Sequence, residues 1–167
     1  MIDRAYCRTM SRYNAWQNRL LWEVLEPMDG DALRRDAGLP QGSVLTTLTH
    51  LLWLDQMWLS RLFRVKAPHS DFERAAAETP SPATWWAARF RADGALRMWA
   101  DTLSSVDLTG DIAFYSLSSE SDVIVPRATC VMHMFNQQTD QRARVRQVLS
   151  QSGQTLPPTA LFLMPRD

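Results

Sequence analysis

Histidine is scarce in this chain, at three in 167 residues, so each position counts as a candidate for imidazole chemistry. Cysteine is scarcer still. Cys7 and Cys130 have no CxxC or CxxH spacing, which removes zinc knuckles and thioredoxin-like motifs. Two thiols without an export signal are expected to stay reduced, and neither has a local cue for activation as a nucleophile. No charge of one sign predominates: Lys plus Arg and Asp plus Glu both number 18. No overall field therefore recruits nucleic acid or an anionic membrane. Long apolar runs are missing as well, and none approaches the roughly 20 residues of a transmembrane helix. The start, Met1-Ile2-Asp3-Arg4, lacks the basic-then-apolar order of a signal peptide. These absences lead to the expectation of a cytoplasmic protein that binds neither nucleic acid nor membrane.

What is present is an ordinary globular balance, in a length that suits one domain, 1–167, with a full core. Four segments carry helical periodicity. In the first, Tyr6, Met10, Tyr13, Leu20 and Val24 recur at helical steps with Gln17 the one polar member, and Pro27 and Gly30 end it. The second opens at Ser43, an N-cap, and runs to about Arg64 with a stripe of Leu48, Leu51, Leu52, Trp58, Leu59 and Leu62. The third begins at Ser81-Pro82, a cap followed by proline at the first helical position, and shows Trp85, Trp86, Phe90, Leu96, Trp99 and Leu103 on one face. The fourth runs from about Arg127 to Ser150, stopping before Gly153. Between the third and fourth, residues 111–126 alternate and are rich in Ile, Val, Phe and Tyr, with a turn at Ser118-Ser119-Glu120-Ser121, which predicts a two-stranded hairpin. The link from Arg64 to Thr79 is long for antiparallel neighbours and suits a crossover. The short apolar tail from Ala160 to Met164 is expected to pack on the helices or on a second subunit.

The seven tryptophans read first as core and subunit packing and second as ligand-stacking surfaces. His69, beside Pro68, reads as a solvated loop residue. His50 falls mid-helix among Leu48, Leu51, Leu52 and Trp53; taken alone it is a hydrogen-bonded core histidine before it is a ligand. The fourth segment adds the most informative local feature. Its stripe of Val131, Met134 and Phe135 is broken by Gln137, Gln138 and Gln141 before Val145, Val148 and Leu149 resume it. Gln137 and Gln141 lie one turn apart on one face, with His133 and Asp140 at its edges. Several amides on one stripe either bond one another or line a wet cleft.

These segments resemble the DinB/YfiT family. Tyr13-Asn14-Ala15-Trp16-Gln17-Asn18 is similar to its first-helix YNxWxN segment. Leu48-Thr49-His50-Leu51 with Asp55-Gln56-Met57-Trp58-Leu59 resembles LxHxxxxDxxWL, and His133 to Arg142 resembles HxFNHQTHHRGQ. The resemblance implies an all-α fold: a four-helix bundle in up-down-down-up order, here with a short hairpin before the last helix. It also implies a divalent metal, often Ni²⁺ or Zn²⁺, held by a histidine on the second helix and a HxxxH pair on the fourth, with open positions for water or a thiol. His50 matches the first ligand. The pair falls on Gln137 and Gln141, and the family's intervening histidine falls on Asp140. Two neutral amides in place of imidazoles make a weak site for borderline cations.

The leading expectation is thus a DinB-type protein with a degenerate metal site (His50, Gln137, Gln141), little or no bound Zn²⁺ or Ni²⁺, and a polar cleft for a small ligand. One rival is an active metal-dependent thiol transferase or hydrolase, with Asp140 or His133 as a substitute ligand. Another is a non-catalytic dimeric binding protein. A homodimer is expected in either case, through Trp22, Trp53, Trp86 and the Leu161–Met164 tail.

Overall fold

The computed structural model describes residues 2–63 and 65–166, and contains six helices and two small β-hairpins among them. Arg64, where the second helix was expected to end and the link to begin, lies outside the described residues, as do Met1 and Asp167.

Side-chain caps set the helix starts. Asp3 accepts from Tyr6 N at 2.7 Å and opens α1 (Arg4–Leu25). Ser43 accepts from Thr46 N at 3.0 Å and opens α3 (Val44–Leu62). Ser81 and Thr84 form a capping box at α5 (Pro82–Thr102), with Pro82 contributing its preset φ at the first position. The last helix, α6 (Arg127–Gln151), ends at Gly153 (φ 87°), where Gln154 N donates to Leu149 O and Gly153 N to Ser150 O. That pair of bonds needs a left-handed residue, which glycine supplies. The hairpin before α6 is present as β3 (Asp111–Ser116) and β4 (Ser121–Pro126), antiparallel with Asp111 opposite Pro126. Three further elements carry no periodic pattern because each is too short for a full stripe. They are α2 (Gly30–Arg34), α4 (Phe72–Ala76), and a hairpin of β1 (Asp36–Leu39) with β2 (Gly42–Ser43).

The long helices contact one another in a ring: α1 with α5, α5 with α3, α3 with α6, and α6 with α1. Trp85 Nε1 donates to Leu48 O at 3.1 Å, so the N-terminal ends of α3 and α5 are adjacent. The link between them must therefore return along α3, as its length suggests. It is fastened there by Trp53 Nε1 donating to His69 O (2.8 Å) and by Phe72 of α4 against His50 and Trp53. His69 is exposed, as expected, and its Nδ1 accepts from Asp71 N.

Two of the expected stripes are shifted. On α1 the buried positions are Cys7, Ser11, Asn14, Gln17, Asn18, Leu21 and Leu25, while Tyr6, Met10, Tyr13, Leu20 and Val24 are only half-buried. On α5, Phe90 is 67% exposed and Trp86 half-buried, whereas Arg89 and Asp93 are inside. A reading that ranks faces by apolar residues misses both shifts, because polar side chains here occupy inward positions with partners. Trp53, a dimer-surface candidate, is mostly buried, with Phe72 against its ring, and what remains open faces a cleft rather than the outer surface. The tail forms a 3-10 turn at Leu161–Leu163 with Phe162 87% exposed. Its backbone is held by Tyr13 to Thr159 O, Arg146 to Pro157 O and Arg12 to Pro165 O. No helix among the described residues is long and apolar enough to cross a membrane.

Candidate functional site

Polar side chains from all four long helices meet in one buried network. Asp55 of α3 accepts from Arg89 Nη1 of α5 at 2.6 Å and from Gln138 Nε2 of α6 at 2.9 Å. Arg89 Nη2 lies 2.7 Å from Asp93 Oδ1, one turn further along α5. Asp93 also accepts from Asn14 Nδ2 at 2.8 Å and Asn18 Nδ2 at 3.0 Å, both on α1. The amide oxygens of Asn14 and Asn18 accept from Arg142 Nη1 of α6, and Gln17 Oε1 accepts from Arg142 Nε at 3.1 Å. Gln17 Nε2 then donates to Tyr13 Oη, which donates to Thr159 O.

Two guanidinium groups face two carboxylates here, so the buried charge sums to zero. That balance lets ionised groups persist out of water. Burial works against the Arg89 charge, but Asp93 and Asp55 outweigh it and hold the guanidinium above its ordinary value. Burial pushes the Asp55 carboxyl up, with Arg89 and Gln138 pulling it back. Arg142, facing amides rather than a direct carboxylate, is lowered by burial to about 10 and is still a cation at neutral pH.

Beside the network, α3, α6 and the β3–β4 hairpin enclose a cleft of about 620 Å³, a volume within the range of small-molecule sites. Trp53, Met57, Trp58 and Phe114 supply apolar wall; His50, Arg61, His133 and Gln137 supply the principal polar groups. The Arg61 guanidinium lies 4.2 Å from the Phe114 ring centre and 4.9 Å from that of Trp58, within cation–π distance of both. Cys130 lies in the wall but is buried, and burial raises its thiol; Cys7, deep in the core, is pushed up to about 12. Neither is poised as a thiolate.

His50 and Gln137, from different helices, line this one cleft. Gln141 follows one turn along α6, half-buried, and is not among the described lining residues. His50 Nδ1 and Gln141 Oε1 are both buried without a hydrogen-bond partner among the described residues. Burial lowers the His50 pKa, which favours the neutral ring. Asp140 is exposed and pairs with Arg144 at 3.0 Å on the same helix. His133 is exposed, its ring edge-on to Trp58 at 5.7 Å. Trp58 is eight residues, or about 12 Å of helix rise, from His50. The two imidazoles thus stand toward opposite ends of the cleft.

The sequence profile of the DinB family matches residues 1–166. The chain belongs to the DinB family. No curated protein and no solved structure matches it.

Family membership gives the three sequence blocks a physical meaning in this chain. Of their polar residues, Asn14, Gln17, Asn18, Asp55, Gln138 and Arg142 all belong to the buried network. The blocks hold the helices together as much as they mark a site. Arg89 and Asp93 complete the network from α5, which none of the blocks covers. Their only sequence signal is an i,i+4 charge pair on an otherwise apolar stripe. Arg61, near the end of α3, has no signal of this kind in the sequence.

The metal that the DinB resemblance implies does not fit the donor set present. His50 offers one neutral imidazole, and Gln137 and Gln141 offer only amide oxygens. No group of three or more His, Cys, Asp or Glu side chains converges among the described residues. Zn²⁺ and Ni²⁺ draw their affinity from imidazole, thiolate and carboxylate. The orphaned His50 Nδ1 also lacks the second hydrogen bond that fixes the ring of a metal-bound histidine. A neutral nitrogen and an amide oxygen without partners call for a hydrogen-bonding molecule such as water.

Proposed function

We propose that this DinB-family chain is an up-down-down-up four-helix bundle that keeps a small-molecule cleft while its family metal position is degenerate. The observation that carries the reading is the lining itself. His50 and Gln137 share a cleft of about 620 Å³ whose walls are aromatic and aliphatic, while amides stand at both positions of the family's ligand pair on the last helix. Thiol-transfer chemistry of the metal-dependent kind needs a Lewis acid to hold a thiolate at neutral pH, and this donor set offers little purchase for one. The protein therefore works as a metal-independent site for a small ligand.

The test is metal analysis of protein purified without an affinity tag and dialysed without chelator. The expected result is well below one equivalent of Zn²⁺ or Ni²⁺ per chain. One equivalent retained through dialysis would mean that amides complete a working site, and would favour the metal-dependent transferase or hydrolase instead.

Self-association through a second copy of the chain is part of the same reading. Phe90, Met98 and Phe162 are 67%, 62% and 87% exposed and are available to a second copy of the chain. A closed two-fold dimer is the expected species in sedimentation at micromolar concentration. A monomer throughout that range rules it out.

A further inference from the structure

The cleft carries charge of only one sign. Among the described residues no Asp or Glu lines it, and the one permanent charge is the Arg61 guanidinium. The Arg61 guanidinium carbon lies over the Phe114 and Trp58 rings, and its one protein hydrogen bond among those described is a long one, Nη2 donating to Tyr115 O at 3.4 Å. No carboxylate pairs with it among the described residues, whereas the buried Arg89 is paired with both Asp55 and Asp93. Burial lowers its pKa, so its charge is incompletely solvated. Contact with two aromatic rings places the guanidinium in the cleft wall while leaving N–H groups unspent among the described residues, which suits a carboxylate partner.

We propose that the cleft binds a small organic carboxylate, its acid group on Arg61 and its apolar body along Trp53, Met57 and Trp58. The proposal rests on the reading of the cleft as a metal-independent ligand site, and names the class of ligand. One guanidinium balances one negative charge, so a monoanion suits the cleft better than a phosphate dianion, whose second charge would be desolvated without a counter-ion. His133, at the same end of the cleft through its contact with Trp58, supplies a further donor. Gln137 and His50 lie farther along and can bond a polar group on the ligand body.

The experiment is calorimetry in the presence of a chelator, with phenylacetate, its neutral amide phenylacetamide and inorganic phosphate as probes. Wild type is compared with Arg61→Gln and Arg61→Lys. Phenylacetate is expected to bind at least about tenfold more tightly than phenylacetamide, the value of one charge-assisted hydrogen bond. Phosphate should bind more weakly than phenylacetate. Arg61→Gln should erase the preference for acid over amide, and Arg61→Lys should retain part of it. Equal affinity for acid and amide, a preference that survives Arg61→Gln, tighter binding of phosphate, or no phenylacetate binding at all overturns the proposal. If phenylacetate binds only when the chelator is replaced by Zn²⁺, the metal-independent reading falls as well. If metal analysis finds none bound and the acid is still not preferred, the ligand class alone is wrong.

Discussion

Arg89→Met is expected to lower the unfolding free energy by about 3–5 kcal/mol, the usual cost of removing one partner from a buried ion pair. The side chain is fully buried and holds Asp55 at 2.6 Å and Asp93 at 2.7 Å. Methionine of similar length keeps the packing but leaves two carboxylates inside with amide donors and the more distant Arg142. Taking about 2 kcal/mol per molar as the urea dependence for a small protein, the midpoint should fall by roughly 1.5–2.5 M. The loss should also depend on pH. Without Arg89 the Asp55 carboxyl, already raised by burial, loses its guanidinium partner and rises further, so the folded state binds a proton that the unfolded state does not. The deficit relative to wild type should therefore shrink as pH falls toward 4 and be fully present at neutral pH. A loss under 1 kcal/mol, or one that does not vary with pH, would show that the charges of the network do not hold the helices together.

The second large effect is a gain. Gln137→His combined with Gln141→His should raise the affinity for Zn²⁺ and Ni²⁺ by at least about a hundredfold, since even a supporting residue around a metal is worth ten- to a hundredfold and these are direct ligands. Binding should release protons and weaken below about pH 6.5, because the imidazoles must be neutral to bind. Calorimetry of both proteins against both metals measures this. Asp140 cannot disguise the result, being turned outward onto Arg144. A folded double variant that gains nothing would mean that these positions of α6 are not the ligand positions of the family. Tight binding by the unmodified chain would mean that the amides already suffice.

Much of the scaffold is legible from the sequence because helix boundaries are written in single residues. Ser43, Ser81-Pro82 and Gly153 each act through a local bond or a local φ, and each lies where the pattern put it. The crossover was legible from the length of the link alone. Less legible were the inward faces. The polar break on α6 drew attention to Gln137 and Gln141, yet the fully buried members are their neighbours Gln138 and Arg142. One residue of rotation separates the cleft-facing row from the core-facing row, and apolar periodicity cannot resolve it when both rows are polar. Arg89 and Asp93 were invisible for a related reason: a charge on a helix stripe reads as solvent-facing until its partner on another helix is known. Arg61 shows the converse, a charge at a helix end that aromatic rings from two elements turn into part of a cleft.

The charge balance of the core also bears on the order in which the chain can assemble. As the protein emerges during synthesis, α1, α3 and α5 come first and bring two buried carboxylates but only one buried guanidinium. A three-helix intermediate that closed early would enclose a net negative charge, which is costly out of water. Arg142 arrives only with the last helix and restores neutrality as it docks. The interior thus discourages premature closure until the C-terminal segment is available, and a nascent chain truncated before residue 142 should remain open and recognisable to quality control.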